Sequence, residues 1–242
     1  MINKSELSNV LKEFYNSSLE ETEVAFIYFG WAGILLRAKD KVIALDIGKK
    51  CLEDKQLQMV NNLDLHLYSH THWDHFDPAV TLKLFQNTNA PIIVEPKIYD
   101  EFIDMYNDKY LQIQDKLYRA DPKKPLNING FSIDTIIGIH PRPISLFRIS
   151  WKDFSIFHGA DSGYVSLSDF PSKLAFIPTG TPSPSCTPEN GLKMVLDISP
   201  KAVVAIHGTP KQMLKFKSLV SEKLSGTSTI IPKLKELVIF SI

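Results

Sequence analysis

The segment Ser69-His70-Thr71-His72-Trp73-Asp74-His75-Phe76-Asp77 places four potential metal ligands within six residues. It runs on directly from LHLYS (65–69), a short apolar stretch that reads as a buried strand. In an extended chain, side chains two apart share a face, so His70 and His72 can address one ion. Asp74 and His75 fall where the chain must turn, and so can address a second ion beside the first. Asp77-Pro78 then supplies a helix N-cap with proline at the first helical position, leading into AVTLKLF. Neutral imidazole suits zinc, iron and other transition metals, and carboxylate also suits manganese and zinc. Such a cluster is costly as mere structure, because it crowds several polar groups together without partners.

Outward from this segment, residues 23–48 (EVAFIYFGWAGILLRAKDKVIALDIG) are rich in β-branched and aromatic side chains, with breaks at Gly30 and at Lys39-Asp40-Lys41. The pattern predicts three antiparallel strands. Ahead of it, Leu7, Val10, Leu11 and Phe14 share one face of a short amphipathic helix over 5–16, within an N-terminal helical extension spanning 1–20. Residues 52–62 and 97–108 read as helices, and 91–95 as a strand. Further on, a strand over 131–139 runs into His140, and a hairpin over 145–157 turns at Lys152-Asp153 and leads into HGADSG. KLAFIP (173–178) is another strand, and Thr187-Pro188 caps a helix over 189–197. KAVVAI (201–206) is a strand ending at His207. Thr209-Pro210-Lys211-Gln212 then fits a capping box for a helix of about 13 residues. This order predicts an α/β protein of one domain, 1–242, with helices layered around two sheets.

Composition narrows the function classes. The 242 residues are 44% apolar and 22% charged, which excludes disorder as the dominant state. Lys+Arg and Asp+Glu both number 27, so no global field favours nucleic acid or an anionic membrane. Cys51 and Cys186 lie far apart and in no CxxC pattern, which points to a reducing compartment. The longest uncharged apolar stretch, Val24 to Leu36, is broken by Gly30 and Gly33 and is too short to span a bilayer. The first residues carry no apolar core of signal-peptide type. These features predict a soluble cytoplasmic protein with a small-molecule substrate and no nucleic-acid partner; a homo-oligomer is compatible with them.

His70-x-His72-x-Asp74-His75 resembles the HxHxDH signature of the metallo-β-lactamase-fold hydrolases. The later motifs of that family occur in order: His140 at a strand end, Asp161 in HGADSG, and His207 in VVAIHG. The flavour is similar to the branch of ascorbate-phosphate lactonase-like and phospholipase-D-like members. The resemblance implies a four-layer αββα sandwich of two mixed sheets flanked by helices. It also implies two divalent ions, zinc first, with manganese or iron as alternatives. His70, His72 and His140 would hold one ion, and Asp74, His75 and His207 the other, with Asp161 shared. A hydroxide bridging the ions would attack a small ester, lactone or phosphodiester, with Asp74 also orienting the nucleophile.

Alternatives of other classes are a nuclease or phosphodiesterase acting on nucleic acid and a non-catalytic metal-binding member of the fold. Three departures from the family pattern stand out. Trp31 occupies the place of a histidine in the opening strands, Ile47 that of a proline, and Ala160 that of the glycine before the shared aspartate. Outside the ligand set, Asp46 is placed to orient a ligand histidine, as carboxylates behind metal ligands do. Arg142 is a candidate for binding a substrate phosphate or carboxylate. His66 reads as structural, while His158, three residues before Asp161, reads either as a packed structural residue or as a support behind a ligand.

Overall fold

The β-rich opening folds as its pattern requires. In the computed structural model, which describes residues 4–242, α1 (Lys4–Asn16) precedes three antiparallel strands. These are β1 (Glu23–Gly30), β2 (Gly33–Ala38) and β3 (Lys41–Leu45). Residues 1–3 of the expected N-terminal extension lie outside the described residues. Within α1, Leu7, Leu11 and Phe14 are buried with Ala25, Ile27, Phe29 and Leu35.

After β3, the helix expected over 52–62 shrinks to the single turn α2 (Asp54–Leu57). Glu53 and Gln56 form a capping box at its start. The next amides close short turns instead of continuing, Met59 N–H to Gln56 O at 3.0 Å and Val60 N–H to Leu57 O at 3.1 Å. The poor helix formers Asn61 and Asn62 follow. β4 (Leu65–Tyr68) is buried throughout, and α3 (Pro78–Thr88) begins at the expected cap, Asp77 Oδ1 accepting from Ala79 N at 2.9 Å and Val80 N at 3.0 Å. β5 (Ile92–Val94) follows. The helix expected over 97–108 is two helices, α4 (Pro96–Met105) and α5 (Asn107–Ile113), parted at Tyr106, where ψ swings to 39°. β6 (Leu117–Arg119) completes this stretch.

The second half carries β7 (Leu126–Ile128), β8 (Phe131–Ile137), β9 (Ser145–Trp151) and β10 (Phe154–His158) as an antiparallel run. β11 (Leu174–Pro178), α6 (Pro188–Ile198), β12 (Ala202–Ile206), α7 (Pro210–Lys223) and β13 (Ser228–Ile230) then alternate. Thr187 Oγ1 accepts from Asn190 N at 3.1 Å, and the capping box at Thr209 and Gln212 forms as its sequence predicts. β14 (Leu237–Ser241) ends the element order.

The chain divides into two units, one running to Arg119 and including Lys233–Ser241, the other Ala120–Pro232. Each is built on a mixed seven-stranded sheet. The first has the order β14-β1-β2-β3-β4-β5-β6, the second β13-β12-β11-β10-β9-β8-β7. In the first, β14 to β3 pair antiparallel and β3 to β6 parallel. In the second, β7 to β10 pair antiparallel and β10 to β13 parallel. Helices α1 to α5 accompany the first sheet and α6 and α7 the second. Two mixed sheets with flanking helices are the expected α/β elements. No helix among the described residues is long and apolar enough to cross a membrane.

His66 is structural, as its place in β4 suggests. The ring is buried, Nε2 lies 3.3 Å from Thr88 Oγ1, and burial pushes its pKa down to about 3. An unfolded histidine takes up a proton below about pH 6.5, whereas this ring stays neutral in the fold. Stability is therefore intact above that pH and falls as pH drops toward 3, by about 1.4 kcal/mol per pH unit. His66→Gln, which cannot protonate, is expected to move the acid-unfolding midpoint, followed by circular dichroism, to lower pH. An unmoved midpoint would assign the acid sensitivity to other groups.

Candidate metal centre

Every expected ligand follows the C-terminal end of a strand. In the first unit, β4 ends at Tyr68 and delivers His70, His72, Asp74 and His75 in a loop before α3. In the second, His140 follows β8, Asp161 follows β10, and His207 follows β12. Buried strands fix where these loops begin, which is why polar side chains so close to the cores hold one arrangement.

In the first unit the organising group is Asp46, fully buried just past β3. Its Oδ1 accepts the Ser69 backbone N–H at 2.7 Å, and its Oδ2 accepts the Ser69 hydroxyl at 2.7 Å and His75 Nδ1–H at 2.9 Å. The hydrogen-bond pattern assigns the tautomers. A proton on His75 Nδ1 leaves a lone pair on Nε2. Because the Ser69 proton is committed to Asp46, Ser69 Oγ accepts from His70 Nδ1–H at 3.0 Å, leaving the lone pair of His70 on Nε2. One carboxylate thereby fixes the orientation of two rings, one directly and one through Ser69. His70 Nε2 lies 2.9 Å from His72 Nδ1, and His75 Nε2 lies 3.6 Å from Asp74 Oδ2.

The second unit repeats the logic with other partners. His207 Nδ1–H donates to Gly180 O at 3.3 Å, which turns the Nε2 lone pair toward Asp161 Oδ2 at 3.5 Å. His140 Nε2 lies 3.3 Å from the same oxygen. The Arg142 backbone N–H donates to His140 Nδ1 at 3.3 Å, so the neutral ring carries its proton on Nε2, facing that carboxylate. To hold an ion through Nε2, the neutral ring would carry its proton on Nδ1 instead, in place of the Arg142 contact. The Arg142 side chain is exposed on the loop after His140.

These contacts test whether the donor set fits a metal. In each unit an imidazole Nε2 faces a carboxylate oxygen across a gap, 3.6 Å at His75 and Asp74, 3.5 Å at His207 and Asp161, and a neutral ring there presents its lone pair. Two negative ends so close repel unless a cation lies between them. The ligand atoms of His70 and His72, of Asp74 and His75, and of His140 and Asp161 lie within 4.8 Å of one another. Imidazole and carboxylate without thiolate is a donor set for zinc, manganese or iron. The residues fit divalent metal.

Comparison with solved structures then gives the architecture a name. Igni18, a metallo hydrolase from the hyperthermophilic archaeon Ignicoccus hospitalis, is 20% identical over 91% of this chain and 100% of its own, with a TM-score of 0.69. YhfI, a metallo-β-lactamase-fold protein from Bacillus subtilis, is 18% identical over 90% of this chain and 99% of its own, with a TM-score of 0.65. The chain has the metallo-β-lactamase fold. A further structure of this shape is CmlA, a diiron β-hydroxylase from Streptomyces venezuelae. It is 12% identical over 93% of this chain and 55% of its own, with a TM-score of 0.66. No protein-family model and no curated protein matches the sequence.

One departure from the metallo-β-lactamase pattern has a backbone consequence in the structure. Ala160 has φ +50°, the left-handed region, and is fully buried. Glycine adopts that conformation freely, while alanine strains its Cβ. Ala160→Gly is expected to cost little or to stabilise by up to about 1 kcal/mol, read as an unchanged or raised Tm. A clear fall in Tm would show that the alanine methyl contributes packing. Asp46 and His207 also hold positive φ, at 47° each, in the manner of strained functional loops. Gly48 lies against the ligand loop, since a Cβ there would come within 2.5 Å of Asp74 O.

Ser69 was invisible as a participant from sequence, where it is only the residue before the first histidine. Its one readable signal is a hydroxyl at the mouth of a buried strand. Asp46 does hold the ring of a candidate ligand, His75, in place just after β3. His158 is buried at the end of β10.

Proposed function

We propose that this chain is a dinuclear metal-dependent hydrolase of small esters, lactones or phosphodiesters. His70, His72 and His140 form one ligand set and Asp74, His75 and His207 the other, with Asp161 shared. The observation that carries this reading is the network at Asp46, which sets two ring tautomers toward a cation. Zinc is the first choice. Bound there, two divalent ions would acidify a water and polarise the scissile ester bond.

The protein's own groups have separable tasks. Asp46 holds His75 directly and His70 through Ser69, so neither ring turns away. Gly180 O holds His207 in the same sense. Asp74 is the carboxylate placed to accept a proton from the attacking water and orient it. Asp161 presents its charge to His140 and His207. Arg142 is the proposed partner for an anionic group of the substrate. No serine or cysteine nucleophile is required: both thiols are buried, and burial pushes each up to about 12. The neutral charge balance supports a small-molecule substrate, and unbridged cysteines support a cytoplasmic setting.

The deciding experiment measures metal by plasma mass spectrometry on protein purified without chelator. The same sample is then assayed on lactone, ester, thioester and bis-p-nitrophenyl phosphate. The reading predicts about two ions per chain and turnover that chelation abolishes. One ion at saturation rejects the dinuclear site. Two iron ions without hydrolysis favour oxidative chemistry, as in the diiron neighbour.

A further inference from the structure

The hairpin between β1 and β2 turns through Trp31 at φ +49°, a conformation that strains a bulky side chain and that glycine adopts freely. The turn is nonetheless built around this tryptophan, with Tyr28 Oη donating to Trp31 O at 3.0 Å. The Trp31 ring meets the Trp73 ring edge to face, with centroids 5.6 Å apart. Trp73 stands between the ligands His72 and Asp74, yet it is 52% exposed. Lys50, exposed just after the Asp46 loop, places its Nζ 4.3 Å from the centre of the Trp73 ring. Two indoles and an ammonium therefore gather on the ligand loop of the first unit, half open to water.

We propose that Trp31, Trp73 and Lys50 seat the non-reacting part of the substrate, and that this part is an apolar acyl or aryl group carrying a negative charge. The proposal rests on the hydrolase reading and names the substrate class of that site. Indole surface left in water gains by covering apolar groups. The ammonium, held over one indole, leaves its outer side to an anion. A strained backbone persists where the side chain it presents is required, and here that side chain is a half-buried indole packed against the exposed Trp73. The second unit shows the same bias beside its own ligand: Ile137 and Ile139, 68% and 55% exposed, lead into His140.

The test is binding of ethylphosphonate and octylphosphonate, followed by tryptophan fluorescence and calorimetry. It is run on the protein as purified and again after chelation, so that anions held by metal are recognised. The longer chain is expected to bind at least about tenfold more tightly in both states, since each buried methylene adds about fourfold. Trp31→Gly relieves the backbone and is expected to fold with an undiminished Tm while losing that preference. Trp73→Ala is the second variant should the first fail to fold. Lys50→Gln should weaken both phosphonates about equally, with Lys50→Arg restoring them. Equal binding of the two phosphonates by the wild type overturns the proposal, as does a chain-length preference that survives both tryptophan variants. Chain-length preference without any hydrolysis would reject the hydrolase reading and leave this seat standing. Hydrolysis without the preference would do the reverse.

Discussion

Asp161→Asn is expected to lower bound metal from about two ions toward one and to reduce turnover by more than about 100-fold. The carboxylate has one oxygen 3.3 Å from His140 Nε2 and 3.5 Å from His207 Nε2, so it serves both rings. As the proposed shared ligand it would offset the repulsion between two cations by presenting negative charge to each. Asparagine keeps the shape but not the charge, and its neutral carbonyl is a poor bridge. A more weakly held pair acidifies its water less, so the pH optimum should also move upward. Asp77→Asn is the matched control, because asparagine caps a helix about as well as aspartate. Metal content by mass spectrometry, with kcat against pH, decides the matter. If the Asp161→Asn variant retains two tightly bound ions and full turnover, Asp161 is a structural acid.

Asp46→Asn should come next in size, through orientation instead of ligation. Three donors converge on this buried carboxylate: the Ser69 amide, the Ser69 hydroxyl and His75 Nδ1–H. An amide supplies one accepting oxygen and sets an N–H₂ against the remaining donors. The backbone is no obstacle, since asparagine tolerates φ near 47°. His75 should lose its fixed tautomer and His70 should loosen through Ser69. The expected loss is about 10–100-fold in metal affinity, the usual size of an effect behind the ligands. Stability should fall by about 1–3 kcal/mol for the buried donors left without an acceptor. Competitive titration with a chromophoric chelator and a denaturant curve separate the two effects. Unchanged affinity with lowered stability would make Asp46 a packing residue.

The ligand segment was legible because its information is local. Four potential ligands in six residues, the cap at Asp77-Pro78 and the strand before them are read within one short window. The caps at Thr187 and Thr209 were legible for the same reason. Ser69 was not, because its role depends on Asp46, 23 residues away and brought alongside only by pairing of β3 with β4. The strain at Trp31 and Ala160 is a backbone property with no signature in residue type. β7 and β13 have three residues each, too few for a period, and β14 is defined by pairing with β1 at the other end of the chain. The helix over 97–108 failed at Tyr106, a break without proline or glycine to announce it.

The two cysteines give this protein a pair of built-in clocks. Cys51 lies in the first unit with its thiol 3.9 Å from Asp46 O, and Cys186 in the second with its thiol 3.3 Å from Ser162 O, one residue past Asp161. Both are buried, and with thiol pKa values pushed up to about 12 almost none of either is thiolate at neutral pH. An alkylating reagent must therefore wait for the surrounding segment to open. When reclosing is fast, the labelling rate at each cysteine measures the opening free energy of its own neighbourhood. Peptide mapping of the two labels follows the Asp46 loop and the Asp161 loop separately in one sample. Added metal should slow whichever clock stands beside the ligands it engages. The same burial lets the protein be handled without reducing thiols, which would otherwise compete for the very ions being counted.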